Sequence, residues 1–355
     1  MKLKLHWTHI FPIFAWIYYF TGVTDNSLLF GIIGAALLIS SVLSAVHHAE
    51  VVALKVGEPF GTIILAIAIT IIEVALIISL MIAGGESAAT LARDTVFAAI
   101  MLILNGILGA CLLVGGAKYH EQYFARTSAN TALISLVAIL VLTLVLPNYT
   151  TSISEPIFNT AQLIFFAFAS LVIYGTFLMV QTVRHRNYFL AEGEGENDDA
   201  VPPTLANTIV SVVCLLICLG VVVLLAKALS PQIEHGVMSI GAPKTLVGVI
   251  IAAVVLLPEG MAAIKAARRN HLQTSLNLAL GSALASIGLT IPSVAIVCLI
   301  YDIPLVLGLD IKSTVLMALS VYIVMLSLNR GKTNILYGVV LLVNLLAYIF
   351  TVIVP

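Results

Sequence analysis

Long runs of apolar residues, separated only by short polar segments, fill almost all of this 355-residue sequence. Hydrophobic residues make up 61% of the chain and charged residues only 9%, which is far too few to cover a soluble protein of this size. A helix needs about 20 consecutive apolar residues to cross a bilayer. The sequence therefore predicts an all-α polytopic membrane protein and excludes a soluble enzyme.

The polar interruptions divide the chain into eleven predicted transmembrane spans. These cover residues 5–22, 27–46, 60–83, 95–117, 129–147, 157–181, 205–229, 245–267, 274–300, 311–328 and 333–354. Of the 16 basic residues, twelve fall on one side of this topology and four on the other. Because Lys and Arg collect in cytoplasmic loops, we expect the N-terminus in the cytoplasm and the C-terminus outside. The expected location is the inner membrane of a bacterium.

One segment, residues 184–204, does not resemble a membrane span, since it holds an acidic run over 192–199. Both a solvated cytoplasmic connector and a cation-sensing element fit this composition. If residues 1–26 form an extra N-terminal helix, five spans precede the segment (27–183) and five follow it (205–355). An odd number of spans gives the two halves opposite orientations, so we predict an inverted five-helix repeat of the kind found in many secondary transporters.

Two carboxyl groups stand out from the other acidic residues. Nearly all of the 17 acidic residues lie in predicted loops or at span ends, but Glu73 and Glu259 lie deep inside apolar runs. Ionisable residues at this depth face the interior of the helix bundle and mark ion or proton pathways. Each is in the second span of its half, so an inverted repeat would bring them together near the membrane midplane.

The expected chemistry of this pair is competition between protons and cations. Two carboxylates in a low-dielectric site repel each other, so they hold protons unless a cation neutralises them. Hard cations such as Ca²⁺ and Na⁺ take oxygen ligands. Further oxygen donors are predicted from Thr70, Asn105, Ser282 and Ser286. The alternative is a pair of permanently protonated glutamic acids with a structural role.

Other polar groups give weaker signals. His47, His48 and Glu50 precede the Glu73 span and fit either a pH sensor or proton entry point, or ordinary interfacial polarity. The four cysteines lie in apolar runs, and their spacing fits neither a disulfide framework nor a metal motif, so we interpret them as packing residues; they are Cys111, Cys214, Cys218 and Cys298. A net charge of −1 argues against a nucleic-acid partner.

Four stretches resemble the cation/proton antiporters of the calcium:cation antiporter superfamily, specifically the ChaA-type members of its CAX branch. Residues 47–81 and 257–292 are similar to the two signature repeats, with Glu73 and Glu259 at the acidic positions. The second repeat includes the element SLNLALGSA at 275–283. Residues 105–124 and the acidic run resemble the span after the first repeat and the linker between halves.

This resemblance implies eleven helices, alternating access, and ion coordination by Glu73, Asn105, Glu259 and Ser282. Calcium exchangers of the superfamily typically have Asn three residues before each glutamate, where this chain has Thr70 and Leu256, and Gln near Ala285. The loss of amide ligands leaves room for Na⁺ or K⁺ as well as Ca²⁺.

We therefore predict a secondary transporter, not an enzyme, that exports Ca²⁺ and/or Na⁺, with K⁺ also open, in exchange for H⁺. The expected partners are the lipid bilayer and the transported ions, with a homo-oligomer left open and no cofactor expected. The alternative is a proton-coupled carrier of a small organic solute, which would need aromatic or Arg groups in the membrane core. No protease motif occurs at membrane depth.

Overall fold

The computed structural model describes residues 6–21, 28–57, 60–84, 89–153, 156–190, 203–239, 241, 243 and 245–354. This part of the chain forms eleven helices: α1 (Trp7–Phe20), α2 (Leu28–Val56), α3 (Phe60–Gly84), α4 (Leu91–Tyr119), α5 (Arg126–Tyr149), α6 (Thr160–Arg184), α7 (Leu205–Ser239), α8 (Thr245–Arg268), α9 (Leu272–Tyr301), α10 (Ile311–Leu328) and α11 (Ile335–Ile353). Among the described residues, extended pairing is limited to one bridge between Tyr123 and Lys332. The acidic run 192–199, residues 5 and 22 at the ends of the predicted first span, and residue 27 at the start of the second lie outside the described residues.

The predicted all-helical membrane fold is confirmed. Nine of the helices in the described ranges are long and apolar enough to cross a membrane. The other two are α1, which has 14 residues, and α3, whose apolar stretch is Ile67–Ile82. Each predicted span corresponds to one helix.

Two predicted span ends were wrong because polar residues do not end the helix. The second span was expected to end at residue 46, but α2 continues to Val56, since His48 and Ala49 are buried against neighbouring helices. The seventh was expected to end at 229, but α7 continues to Ser239. Within this extension Val237 is buried, so apolar packing continues along the helix past the polar residues.

Helices α4 and α9 form the centre of the bundle. Within their most apolar windows, 78% of α4 and 67% of α9 is buried inside the protein, against 22% for α6 and α11. The central helices differ from the lipid-facing ones in composition, because α9 carries small and hydroxyl residues where a peripheral helix carries large apolar ones.

The helix contacts occur in matching pairs. Helix α2 packs against α7, α3 crosses to α9, and α8 crosses to α4. Helix α6 packs on α9 in the same way that α11 packs on α4, and α4 and α9 contact each other. The remaining helix, α1, rests on α2 and α7.

Helices α6 and α9 approach each other closely at Gly288. A Cβ atom added to Gly288 would lie 2.8 Å from the Cβ of Tyr174, closer than side chains tolerate. Gly288 therefore allows α6 to lie directly against the part of α9 that carries Ser286.

Candidate functional site

A cavity of about 300 Å³ lies between α3, α6, α8 and α9. Both membrane-embedded glutamates, Glu73 and Glu259, line it. Three of the predicted oxygen donors also line it, namely Thr70, Ser282 and Ser286. The fold thus brings five of the six predicted ion-binding residues around one space.

Glu73 is buried and held by α9. Its side chain is 6% exposed, and its Oε1 accepts a 2.6 Å hydrogen bond from the Ser286 hydroxyl. The Thr290 hydroxyl lies close to the same carboxyl group but has no hydrogen-bond partner of normal geometry. Thr70 lies one turn earlier on α3 and faces the cavity. Several oxygen atoms therefore surround the Glu73 carboxyl.

Glu259 occupies the corresponding position on α8. The Ser282 hydroxyl lies beside its carboxyl, which is also close enough to Glu73 for the two to interact electrostatically. Its Oε2 is buried and has no hydrogen-bond partner. A buried carboxyl oxygen without a partner is costly, so this atom is a natural place for a proton or a cation.

One face of α9 supplies the hydroxyl groups. Ser282, Ser286 and Thr290 follow each other at intervals of four residues, so they lie on the same side of the helix. Towards the start of α9, Asn277 and Thr274 continue the cavity wall. This helix therefore lines the site with oxygen atoms over several turns.

The cavity extends from the glutamates towards one end of the bundle. Gln181, Arg186 and Leu190, at and beyond the end of α6, line its outer part, and Arg186 and Leu190 are exposed. The start of α9 lies at the same end. In the topology predicted from basic residues, both segments belong to the cytoplasmic side.

Asn105 does not line the cavity. It lies in a π-helical turn of α4, Leu102–Ile107, and is fully buried. Its Nδ2 donates to Ser320 Oγ at 2.9 Å, and its Oδ1 accepts from Asn344 Nδ2 at 2.9 Å. The structure places this predicted ligand in a separate polar cluster that joins α4, α10 and α11.

The predicted pH-sensing group also lies away from the cavity, on the second half of α2. His48 is 1% exposed, His47 is half-buried and Glu50 is exposed. The two imidazoles lie next to those of His6 and His9 at the start of α1.

Four polar residues of the cavity and of the Asn105 cluster were not predicted from the sequence. Thr290 continues the spacing of Ser282 and Ser286, and Asn344 interrupts an apolar run as Asn105 does, so both carried a readable signal. Gln181 and Arg186 had no such signal, because they lie at the end of a span, where polar residues are ordinary.

All four cysteines are free thiols, and Cys214 is less buried than the other three.

The sequence matches the sodium/calcium exchanger protein family over residues 26–183 and 210–354. The chain belongs to this family. The resemblance expected from the sequence is thereby confirmed, and the chain is a multi-pass membrane transporter.

Individual relatives agree over nearly the full length. The chain is 41% identical to the putative ionic transporter y4hA of Sinorhizobium fredii, over 96% of this chain and 95% of the relative. It is 34% identical to the sodium-potassium/proton antiporter ChaA of Escherichia coli, over 97% and 95% respectively. The solved structure of a Ca²⁺/H⁺ antiporter, YfkE, shares the fold with a TM-score of 0.70, 17% identity and 98% coverage of both chains.

Proposed function

We propose that this member of the sodium/calcium exchanger family is a secondary active antiporter that exports Ca²⁺ and/or Na⁺, with K⁺ as a further candidate cargo, in exchange for protons. It acts in a bacterial inner membrane, with its N-terminus in the cytoplasm, and needs no cofactor beyond the transported ions. The supporting relatives include ChaA, described as a sodium-potassium/proton antiporter.

The observation that carries the proposal is the pair Glu73 and Glu259 on one cavity, each beside a serine hydroxyl of α9. Two ionised carboxylates in a buried site are unfavourable unless their charge is neutralised. Protons and cations both neutralise them, and the same oxygen atoms serve for either. Mutually exclusive occupancy by protons and cations is the basis of coupled exchange.

The second part of the proposal is alternating access between two inverted halves, residues 27–183 and 205–355. Two observations support it. The family match falls in two segments with nearly these bounds. The helix contacts also agree when α2 to α6 are matched in order with α7 to α11. The contact of α3 with α9, for example, then corresponds to the contact of α8 with α4. In this arrangement the cavity opens towards the cytoplasm, ready to receive a cation.

The ligand set favours a site of modest cation affinity. Leu256, three residues before Glu259, lines the cavity with an apolar side chain, and Thr70 offers one hydroxyl at the matching position of α3. Ca²⁺ takes six to eight oxygen ligands. Two carboxyls and a few hydroxyls need water to complete such a shell, so Na⁺ and K⁺ are included as cargo.

A carrier of a small organic solute is the second candidate. Aromatic side chains line the cavity, namely Tyr174, Phe177 and Phe189, and Arg186 lines its mouth. Arg186 is exposed at the mouth, however, and the groups around the two glutamates are carboxyls and hydroxyls that suit a bare cation.

The test is proton release from acidified everted vesicles made from a host that lacks its own antiporters. Addition of Ca²⁺, Na⁺ or K⁺ alone should dissipate the proton gradient with the wild-type chain. Glu73→Gln and Glu259→Gln should each abolish this response, while Glu121→Gln, which changes an exposed glutamate between α4 and α5, should retain it. Exchange that persists in both cavity variants, at normal membrane levels, would refute the two-glutamate site. A gradient that responds only to an added organic solute would favour the second candidate.

A further inference from the structure

A second cluster of ligand-type side chains lies away from the cavity, where α1 rests on α2 and α7. His9 of α1, His48 of α2 and Cys214 of α7 each offer one ligand atom, and these three atoms all lie within 4.8 Å of one another. Three different helices therefore converge on one point. All three residues lie towards the ends of their helices that are predicted to face the cytoplasm.

The histidines are oriented by their neighbours. His48 Nδ1 lies 3.4 Å from Ser211 Oγ, and His9 Nδ1 lies 3.1 Å from Thr8 Oγ1. His48 is 1% exposed, and its Nε2 is buried without a hydrogen bond of normal geometry. A metal-binding imidazole typically holds one nitrogen in a hydrogen bond and offers the other to the ion.

We propose that His9, His48 and Cys214 bind a transition-metal ion of the Zn²⁺ class. Imidazole and thiolate are the ligands that such ions prefer, whereas Ca²⁺ and Na⁺ prefer the carboxyl and hydroxyl oxygens of the cavity. This site is thus chemically distinct from the proposed transport site and independent of it.

The geometry needs only a small adjustment. With Zn–N near 2.0–2.1 Å and Zn–S near 2.3 Å, two ligand atoms of a tetrahedral ion are about 3.5 Å apart. Because the three atoms lie within 4.8 Å of one another, side-chain rotations that move them by about 1 Å suffice for that spacing, and water completes the shell. Cys214 is only partly buried, which leaves the ion a path to the site. Binding converts the thiol to a thiolate and releases its proton.

The consequence of binding is a clamp between α1 and the pair α2 and α7. These two helices pack on each other and directly precede the glutamate-bearing helices α3 and α8. Among the described elements, α2 and α7 are the two helices with which the short helix α1 makes extensive contacts. An ion at this point therefore fastens α1 across both halves.

The experiment is a titration of the full-length chain in detergent with Co²⁺, which reports thiolate ligation by a charge-transfer absorption in the near ultraviolet. The wild type should develop this band to saturation at one Co²⁺ per chain, and Zn²⁺ should remove it. Cys214→Ser should lose the band, whereas Cys298→Ser, a matched change of a buried cysteine on α9, should keep it. Ser211→Ala, which removes the hydrogen-bond partner of His48, should weaken Co²⁺ binding about tenfold.

Further variants separate this site from transport. Glu73→Gln should retain the full band, because the cavity contains no thiol among its described lining residues. His9→Gln, a change at a half-buried position of α1, should also weaken binding at least tenfold, which covers the case in which Cys214→Ser folds poorly. A wild type without the band, or a band that survives Cys214→Ser, would overturn the proposal.

Discussion

The Ser286 hydroxyl of α9 donates a 2.6 Å hydrogen bond to the Glu73 carboxyl of α3. Glu259 of α8 has its own hydroxyl neighbour, Ser282, one turn earlier on α9. One helix therefore serves both acids, and a movement of α9 relative to α3 and α8 would change the surroundings of both carboxyls at once.

Replacement of Ser286 by Ala should weaken cation binding without abolishing exchange. The variant removes a hydrogen bond to a carboxyl group, which is worth about 1.5–3 kcal/mol when that group is charged. We expect the half-saturating cation concentration to rise about tenfold in everted vesicles. The matched control is Ser135→Ala, because that hydroxyl bonds only within α5, to the Thr131 carbonyl. An unchanged half-saturating concentration in Ser286→Ala would show that the bond does not shape the binding site.

Cation affinity should improve as pH rises. Cations and protons are proposed to occupy the same carboxyl oxygens. For each proton that a cation displaces, the half-saturating cation concentration should then fall about tenfold per pH unit. This decrease should stop once both carboxyls are deprotonated. The measurement is initial exchange rate against cation concentration at several pH values, with the proton gradient held constant. Affinity that does not vary with pH would contradict a shared site.

The fold could be predicted well from the sequence, because lipid imposes a simple rule. Each apolar run of sufficient length forms one helix, and both ends of α10, Ile311–Leu328, coincide with the ends of its predicted span. The errors fall at the C-terminal ends of α2 and α7. There, polar residues were read as the membrane boundary, but backbone hydrogen bonding continues the helix as long as those side chains find partners or reach water.

The candidate site could be predicted only in part. Buried carboxyls are rare enough in an apolar sequence that Glu73 and Glu259 stand out without any structure. Asn105 gave an equally clear polar signal, yet its amide is used by Ser320 and Asn344. The sequence shows that a polar group is buried, but not which helices face it.

The histidine and cysteine cluster illustrates the same limit. Cys214 was interpreted as a packing residue because no metal motif surrounds it along the chain. Its proposed co-ligands lie on α1 and α2, more than 160 residues earlier. Local spacing detects ligands that share one helix or loop, and it fails when three separate helices supply one ligand each.

The cavity should admit reagents from the cytoplasmic side alone. Gly281 lines it, and a Cβ atom there would meet no heavy atom within 4 Å, so Gly281→Cys should fit without strain. In a background in which the four native cysteines are replaced by Ser, a charged thiol reagent should label this variant in everted vesicles but not in right-side-out ones. Lys312→Cys, an exposed position at the opposite end of the bundle, should show the reverse pattern. Equal labelling of Gly281→Cys from both sides would contradict an inward-open cavity.

The cluster of Asn105, Ser320 and Asn344 should matter for stability more than for ion binding. Asn344 Nδ2 donates to both Asn105 Oδ1 and Ser320 Oγ, at 2.9 and 2.8 Å. Asn344→Ala leaves the buried Asn105 carbonyl oxygen without that donor, at a cost of about 1–3 kcal/mol. We expect a lower thermal midpoint for the purified chain in detergent, with a half-saturating cation concentration within twofold of the wild type, since none of the three residues lines the cavity. The exposed control is Asn329→Ala, which follows α10 and should leave both quantities unchanged. If Asn344→Ala weakened cation binding tenfold at an unaltered midpoint, Asn105 would belong to the ion pathway after all, as its position after the first signature repeat led us to expect.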